Sequence, residues 1–301
     1  MLKRNQKHIL LKFFSMFSVV RGYNVLIVII AQYLASIYIF APQLTIKEVL
    51  LDLNLLMLVL ASSATISAGY IINNFYDSEK DLINRPNKSM LDKLVSQNTK
   101  LSFYFVLNFL AIILASYVSF KAVIFFSAYI FGIWFYSHKL KRLTFIGNIT
   151  STLLTITPFF IVVLYYSSFR TIVFIHAVFL FLIMLVRELT KDLENLKGDL
   201  TQNYKTVPIV FGLTTTKLLI TFLLSLTLIP IYFLLSTKAV GLMSWYFYIC
   251  SALLLFFILL LWKSNSKQHY NWLHNILKII IAAGVFCIVL IDINLVLNKL
   301  H

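Results

Sequence analysis

Apolar residues in this chain come in long unbroken runs, without the alternation of a half-buried strand or the three-to-four spacing of a soluble amphipathic helix. Nine runs approach the roughly 20 residues that a helix needs to cross a hydrocarbon layer of about 30 Å. They cover 19–40, 54–75, 101–119, 122–137, 149–168, 171–187, 218–236, 244–262 and 277–297. The fourth run is short, and only Phe169-Arg170, after Ser168, parts the fifth from the sixth. No signal-peptide cleavage pattern follows the basic amino terminus, so the first run is expected to remain as a span. The predicted fold class is all-α: a polytopic membrane protein with about nine transmembrane helices.

Composition agrees with that pattern. Of 301 residues, 60% are hydrophobic, only 12% are charged, and 27 are Phe; the mean hydropathy is +0.88. A soluble domain of this length needs far more polar surface. The net charge of +15 is explained by where the cations lie. Twenty-one of the 26 Lys and Arg fall in the amino terminus and in the segments after the second, fourth, sixth and eighth runs; Lys47, Lys121, Arg170, Lys238 and Lys299 lie on the other side. The positive-inside rule makes the first side cytoplasmic. The expected location is a cell's inner membrane, with the lipid bilayer as a partner and no nucleic acid. Cys250 and Cys287 sit inside apolar runs with no metal-type spacing, which predicts thiols buried in helices. Asn148-Ile149-Thr150 matches a glycosylation sequon, but on the cytoplasmic side it carries no such meaning.

The acids alter the picture more than the bases do. Eight of the eleven form two groups, Asp77, Glu79, Asp81 and Asp92, then Glu188, Asp192, Glu194 and Asp199. Both groups begin where an even-numbered run reaches the cytoplasm, and the other cytoplasmic segments hold none. Asn73, Asp77 and Asp81 are four apart, and Asp192, Asn195 and Asp199 lie at i, i+3 and i+7, so each set shares one helix face. Acid stripes bordered by Lys and Arg suit Mg²⁺, which takes one or two protein carboxylates plus phosphate oxygens and water. Each group follows a pair of spans. That order predicts one domain, 1–301, of two pseudo-repeated four-helix halves (19–140 and 149–262) around a central cavity, with a ninth helix at 277–297.

At this point the residues resemble a known family. Asn73-Asn74-Phe75-Tyr76-Asp77-x-x-x-Asp81, followed by Asn84-Arg85-Pro86, is similar to the first signature of the UbiA superfamily of intramembrane prenyltransferases. Arg187-Glu188-Leu189-Thr190-Lys191-Asp192-Leu193-Glu194-Asn195-Leu196-Lys197-Gly198-Asp199 resembles the second. Tyr136-Ser137-His138-Lys139-Leu140-Lys141-Arg142 resembles the family's Tyr/Lys element, and Arg21-x-x-Asn24 its amino-terminal R-x-x-N. The four elements stand in order over nearly the whole chain. Positions 74 and 195 depart from the pattern, being Asn where the family usually has Asp.

The resemblance implies Mg²⁺-dependent transfer of a prenyl group from a prenyl diphosphate to a membrane-associated acceptor. It implies metal ligands among Asn73, Asn74, Asp77, Asp81, Asp192, Asn195 and Asp199, and catalytic roles for Asp77, Asp192, Lys141 and Tyr136. Arg21, Asn24, Arg85, Lys139 and Lys191 would hold the diphosphate, with Lys139 and Lys141 as rivals for one role. Tyr70, Phe75, Tyr76 and Phe135 are candidates to face an allylic cation, and His138 adjoins the phosphate lysine. Glu188 and Asp77 both remain open as acceptors of the departing proton. The second motif most resembles the geranylgeranylglycerol-phosphate geranylgeranyltransferase branch, which implies a glycerol-phosphate-type acceptor. Aromatic acceptors such as hydroxybenzoate or dihydroxynaphthoate are the alternative. A secondary transporter, which also pairs duplicated halves with intramembrane polar residues, is the third reading; its ionisable groups would be expected near the bilayer midplane.

Overall fold

The computed structural model describes residues 4–292, and their side chains from Leu11 onward except that of Lys238. Residues 293–297 of the ninth predicted run, with Lys3 and Lys299, lie outside the described residues. In chain order the helices are α1 (Arg4–Val19), α2 (Gly22–Ala35, continued by a wider π turn at Ser36–Phe40), α3 (Ile46–Leu51), α4 (Leu53–Tyr76), α5 (Ser78–Asn84), α6 (Pro86–Asp92), α7 (Gln97–Val118), α8 (Phe120–His138), α9 (Ile146–Tyr165), α10 (Thr171–Thr201), α11 (Val207–Ser236), α12 (Ser244–Lys263) and α13 (Lys267–Cys287). Among the described residues there is no strand, and nine helical stretches are long and apolar enough to cross a membrane. The protein is an integral membrane protein of all-α class, as the runs predict.

Three elements differ from the hydropathy runs in ways that affect the site. The short fourth run becomes a full span, because Ser119 caps α8 by accepting from the Ala122 amide at 3.2 Å. Helix α10 is 31 residues long, about 46 Å at 1.5 Å per residue, so its carboxyl-terminal turns overrun a hydrocarbon layer of about 30 Å. Those turns hold the second acid group. Helix α4 stops at Tyr76, and Asp77 (φ −93°, ψ 5°) makes a bend before α5. The amides of Asp77 and Asp81 still reach the carbonyls of Asn73 and Asp77 at 2.9 and 2.8 Å, so the first acid stripe bends without losing its ladder.

Buried apolar side chains form one cluster from α2, α4, α7, α8 and the far end of α9, and another from α10 to α13. Ala61 and Ala64 of α4 and Ala111 and Ala115 of α7 are all buried, the small-residue contact that lets helices approach closely in lipid. Phe105, Phe109, Phe120, Tyr232 and Trp245 stay exposed and face the acyl chains.

In lipid a lost backbone partner must be replaced from within. Pro158 of α9 has no N–H for the carbonyl of Leu154, and the Tyr129 hydroxyl donates to that oxygen at 2.9 Å. Fully buried Gln32 of α2 donates to Pro158 O at 2.7 Å and to Ser62 Oγ of α4 at 3.2 Å. Asp52 caps α4 and accepts from the Tyr165 hydroxyl at 2.8 Å. These ties fix α2, α4, α8 and α9 against one another, which sets the walls of the cavity at the basic end of the bundle.

Candidate active site

At that end a cavity of about 210 Å³ is walled by α2, α4, α5, α8, α9 and α10. Its polar rim carries Asn73, Asp77, Lys80, Asp81 and Arg85 from the first acid group, and Arg187, Glu188, Lys191, Asp192 and Asn195 from the second. Arg21, Tyr136, Lys141 and Asn148 complete it. Its inner wall is apolar and aromatic: Val28, Ile66, Tyr70, Tyr129, Ile133 and Leu154. The two acid stripes therefore face one shared space, one along the bend after α4 and the other along the overhang of α10.

Asp77 is buried and is held by two donors on the same oxygen, Lys141 Nζ at 2.7 Å and the Tyr204 hydroxyl at 3.0 Å. Burial alone would push its carboxyl up; the charges of Lys141 and Lys80 and these two hydrogen bonds outweigh it and hold the group at about 2. Lys80 pairs with Asp199 at 2.8 Å and lies 4.2 Å over the Tyr204 ring. Burial opposes its charge, but Asp77 and Asp199 together raise its ammonium above the usual lysine range. Tyr204 is presented by the α10–α11 loop, which Thr144 and the Arg142 carbonyl pin to the Lys141 turn at 2.6 and 3.1 Å.

Several oxygens are left over. Asp77 keeps Oδ2 free of these bonds, and the Asp81 carboxylate makes no hydrogen bond or ion pair among the described residues. Asp192 uses Oδ2 to accept from Asn148 Nδ2 at 2.7 Å, leaving Oδ1. Asn195 Oδ1 is buried without a partner. Among the described residues no three Asp, Glu, His or Cys converge into a metal cluster. Hard, unsatisfied oxygens on two walls with no closed cage suit a Mg²⁺ completed by substrate phosphate and water. The donor set fits that ion.

Arg21 sits in left-handed backbone conformation (φ 49°, ψ 54°) between α1 and α2, which costs an L-residue about 1–2 kcal/mol. Its guanidinium lies 5.0 Å over the Tyr70 ring, and no carboxylate pairs with it among the described residues. Asn24 does not reach the cavity; it donates to the Tyr70 hydroxyl at 3.2 Å and so steadies the ring beneath Arg21. On the other wall Glu188 is spoken for by Lys191 at 3.0 Å and Arg187 at 3.6 Å, and Arg187 Nε is buried without a partner. The cavity thus holds cationic donors beyond those that its own acids neutralise.

Not every residue of the four motifs comes to this wall. Lys141 does, whereas Lys139 is exposed and outside it. His138 stacks on Trp134 at 5.4 Å. Phe75, Tyr76 and Phe135 are also outside the lining, while Tyr70 is within it. Asp199 lies behind the rim, 1% exposed, on Lys80. Asn74 turns into a separate network: it accepts from Lys100 Nζ at 3.0 Å and donates to Asp92 Oδ2 at 3.1 Å. Asp92 also takes Ser18 of α1 at 2.9 Å and Lys88 at 3.1 Å.

Sequence reasoning passed over Asn148, Tyr204, Lys80 and Arg187. Asn148 had a signal, because Asn148, Ser151 and Thr155 lie at i, i+3 and i+7 on one face of α9, and all three line the cavity. Tyr204 had none; only the folded loop brings it to Asp77.

The sequence pattern of the UbiA prenyltransferase family matches residues 25–279. A protein of Thermococcus sibiricus named digeranylgeranylglyceryl phosphate synthase is 35% identical over 156 residues, 50% of this chain and 54% of that one. The chain thus spans about half the length of that relative. A solved structure described as giving insight into digeranylgeranylglyceryl phosphate synthase in membranes superposes with a TM-score of 0.68 at 22% identity, over 92% of this chain and 97% of the other. A UbiA homolog from Archaeoglobus fulgidus bound to GPP and Mg²⁺ gives 0.64 at 12% identity, over 91% and 99%. At these identities the two superpositions speak for the fold.

Proposed function

Since this chain belongs to the UbiA prenyltransferase family, we propose that it transfers a prenyl group, of geranylgeranyl type, from a prenyl diphosphate to a glycerol-phosphate-type lipid acceptor. The observation that carries the reading is the meeting of Asp77 and Asp81 with Asp192 and Asn195 around one cavity whose inner wall is apolar. The names of the archaeal relatives support the acceptor class, as do the unpaired Arg21 and the partly unpaired Arg187, which both line the cavity. A reaction between a diphosphate and a phosphate monoester brings two anionic groups into one site, and these guanidinium groups can take the second with forked hydrogen bonds.

Mg²⁺ held by Asp77, Asp81, Asp192 and Asn195 would act as Lewis acid and template toward the diphosphate. The chain's own residues do the rest. Lys141, anchored by Asp77, and Lys80, anchored by Asp199, present ammonium groups from fixed positions, so little reorganisation is needed as charge builds on the leaving diphosphate. Arg85 and Lys191 add donors from the two opposite segments. Tyr70, Tyr129 and Tyr136 line the space where an allylic cation would form, and an aromatic face turned to such a cation contributes about 0.5–2 kcal/mol. Ile66, Ile133 and Leu154 keep water from quenching it. The active side would be the cytoplasmic one of an inner membrane. The acids cluster at the helix ends, so the midplane site expected of a secondary transporter has no counterpart in the cavity.

The test uses membranes holding the protein, labelled geranylgeranyl diphosphate, and three acceptors: geranylgeranylglyceryl phosphate, hydroxybenzoate and dihydroxynaphthoate. A product with the phosphate acceptor alone is expected, lost with EDTA and restored by excess Mg²⁺. A product only with an aromatic acid would transfer the reading to the aromatic branch. Turnover that persists under chelation would remove the metal from it.

A further inference from the structure

Helices α5 and α10 lie side by side in opposite directions, and three contacts run along their seam in order. Lys80 meets Asp199 at 2.8 Å, Asn84 seats on Gly198, and Arg85 Nη2 meets Glu194 Oε1 at 3.1 Å. The middle contact joins a side chain directly to the backbone of α10. The Gly198 amide donates to Asn84 Oδ1 at 3.1 Å, and Asn84 is 4% exposed. A Cβ on Gly198 would stand 2.4 Å from Asn84 Nδ2 and 2.7 Å from its Cγ, inside any real contact distance.

The corner that carries Asn84 has little room to give. Arg85 follows with φ −142° and ψ 64°, and Pro86 opens α6 at once; a residue before proline is confined to extended backbone. Lys267 of α13 donates to the Asn84 carbonyl at 2.5 Å. Glu194, one step along the seam, also takes His274 Nδ1 of α13 at 2.7 Å. Asn84 itself does not line the cavity, but Lys80 and Asp81 stand four and three residues before it on the same face of α5. Asn195 stands three before Gly198 on α10. The Asn84–Gly198 seat is therefore the point about which one acid segment is held against the other.

We infer that Asn84 is a positioning residue: its amide, seated on Gly198, sets the gap between Asp81 with Lys80 and Asp192 with Asn195, so that both segments can grip one diphosphate. The inference rests on the transferase reading above. Any side chain larger than hydrogen at 198 widens the gap, and loss of the Asn84 amide loosens it.

The experiment is a double-mutant cycle on the full chain in detergent, with Asn84→Ser, Gly198→Ala and the size exchange Asn84→Ser/Gly198→Ala, and with Asn84→Ala beside it. Misplacement by about 1 Å can cost about 100-fold in rate, so Gly198→Ala is expected to lose on the order of 100-fold in kcat and to need more Mg²⁺ for half-saturation. Asn84→Ala is expected to lose about tenfold, again through positioning. The exchange pair should regain much of what Gly198→Ala loses, because serine leaves space for the new methyl group and keeps an acceptor. A second readout needs no turnover: the rise in unfolding midpoint on adding Mg²⁺ with inorganic diphosphate, expected to shrink in Asn84→Ala and Gly198→Ala and to return in the pair. An Asn84→Ala protein with wild-type kcat, Mg²⁺ dependence and midpoint shift would overturn the inference. So would a Gly198→Ala loss that the serine exchange leaves unchanged. If Gly198→Ala does not accumulate, Asn84→Ala and the pair decide. Wild-type protein that shifts with Mg²⁺ and diphosphate yet makes no prenylated product would count against the transferase reading, and the midpoint cycle would then judge Asn84 by itself.

Discussion

Asp192→Ala is expected to cut turnover by on the order of 1000-fold, the scale seen when a group that stabilises developing charge is removed. Membrane insertion and yield should stay at wild-type levels. Asp192 lies on the overhang of α10 with one oxygen on Asn148 and the other free, so its loss leaves one unpaired amide and a vacant ligand position, and the helix core is untouched. Asp77→Ala should lose as much turnover by the same argument. The measurement is release of diphosphate by equal amounts of membrane-inserted protein. Wild-type activity in either variant would remove the metal assignment from both acid segments.

Lys141→Met is expected to fail differently. It strands the buried Asp77 carboxylate with the Tyr204 hydroxyl and the more distant Lys80, and breaking a buried pair from one side costs about 3–5 kcal/mol. The unfolding midpoint should fall with the activity. In Lys141→Met/Asp77→Asn the uncompensated charge is gone, so the midpoint should recover most of that loss while diphosphate release stays at background. If Lys141→Met were as stable as wild type, the 2.7 Å contact would not be the ion pair described. If the double variant turned over, Lys141 and Asp77 would be a structural pair only.

Much of this was legible before folding, for physical reasons that differ by residue. A lipid-spanning helix must be long and apolar, so nine spans could be counted. Carboxylates are costly near lipid, so the groups around Asp77 and Asp192 stood out. Helical spacing put Asn195 on the Asp192 face. What escaped depends on contacts between segments far apart in sequence. Whether Lys139 or Lys141 enters the cavity is set by the tight turn after α8, and spacing alone left both open. Tyr204 reaches Asp77 only because the loop after α10 is pinned to that turn. Asn148 was legible in principle, with Ser151 and Thr155, as one face of α9, but Thr150, Thr152 and Thr157 on the same helix blur that stripe.

Asn74 shows what a departure from a motif can mean. The family pattern usually carries an acid at this position, and here an amide bridges the Asp92 carboxylate and the Lys100 ammonium. An aspartate at 74 would face Asp92 across hydrogen-bond distance, setting two like charges side by side. The carboxylate of this network belongs to Asp92 on α6, where it also ties down Ser18 and with it the amino-terminal helix. Positions 74 and 92 are therefore coupled in this chain: Asn74→Asp alone would loosen the hold on the amino-terminal helix, and position 74 does not line the cavity.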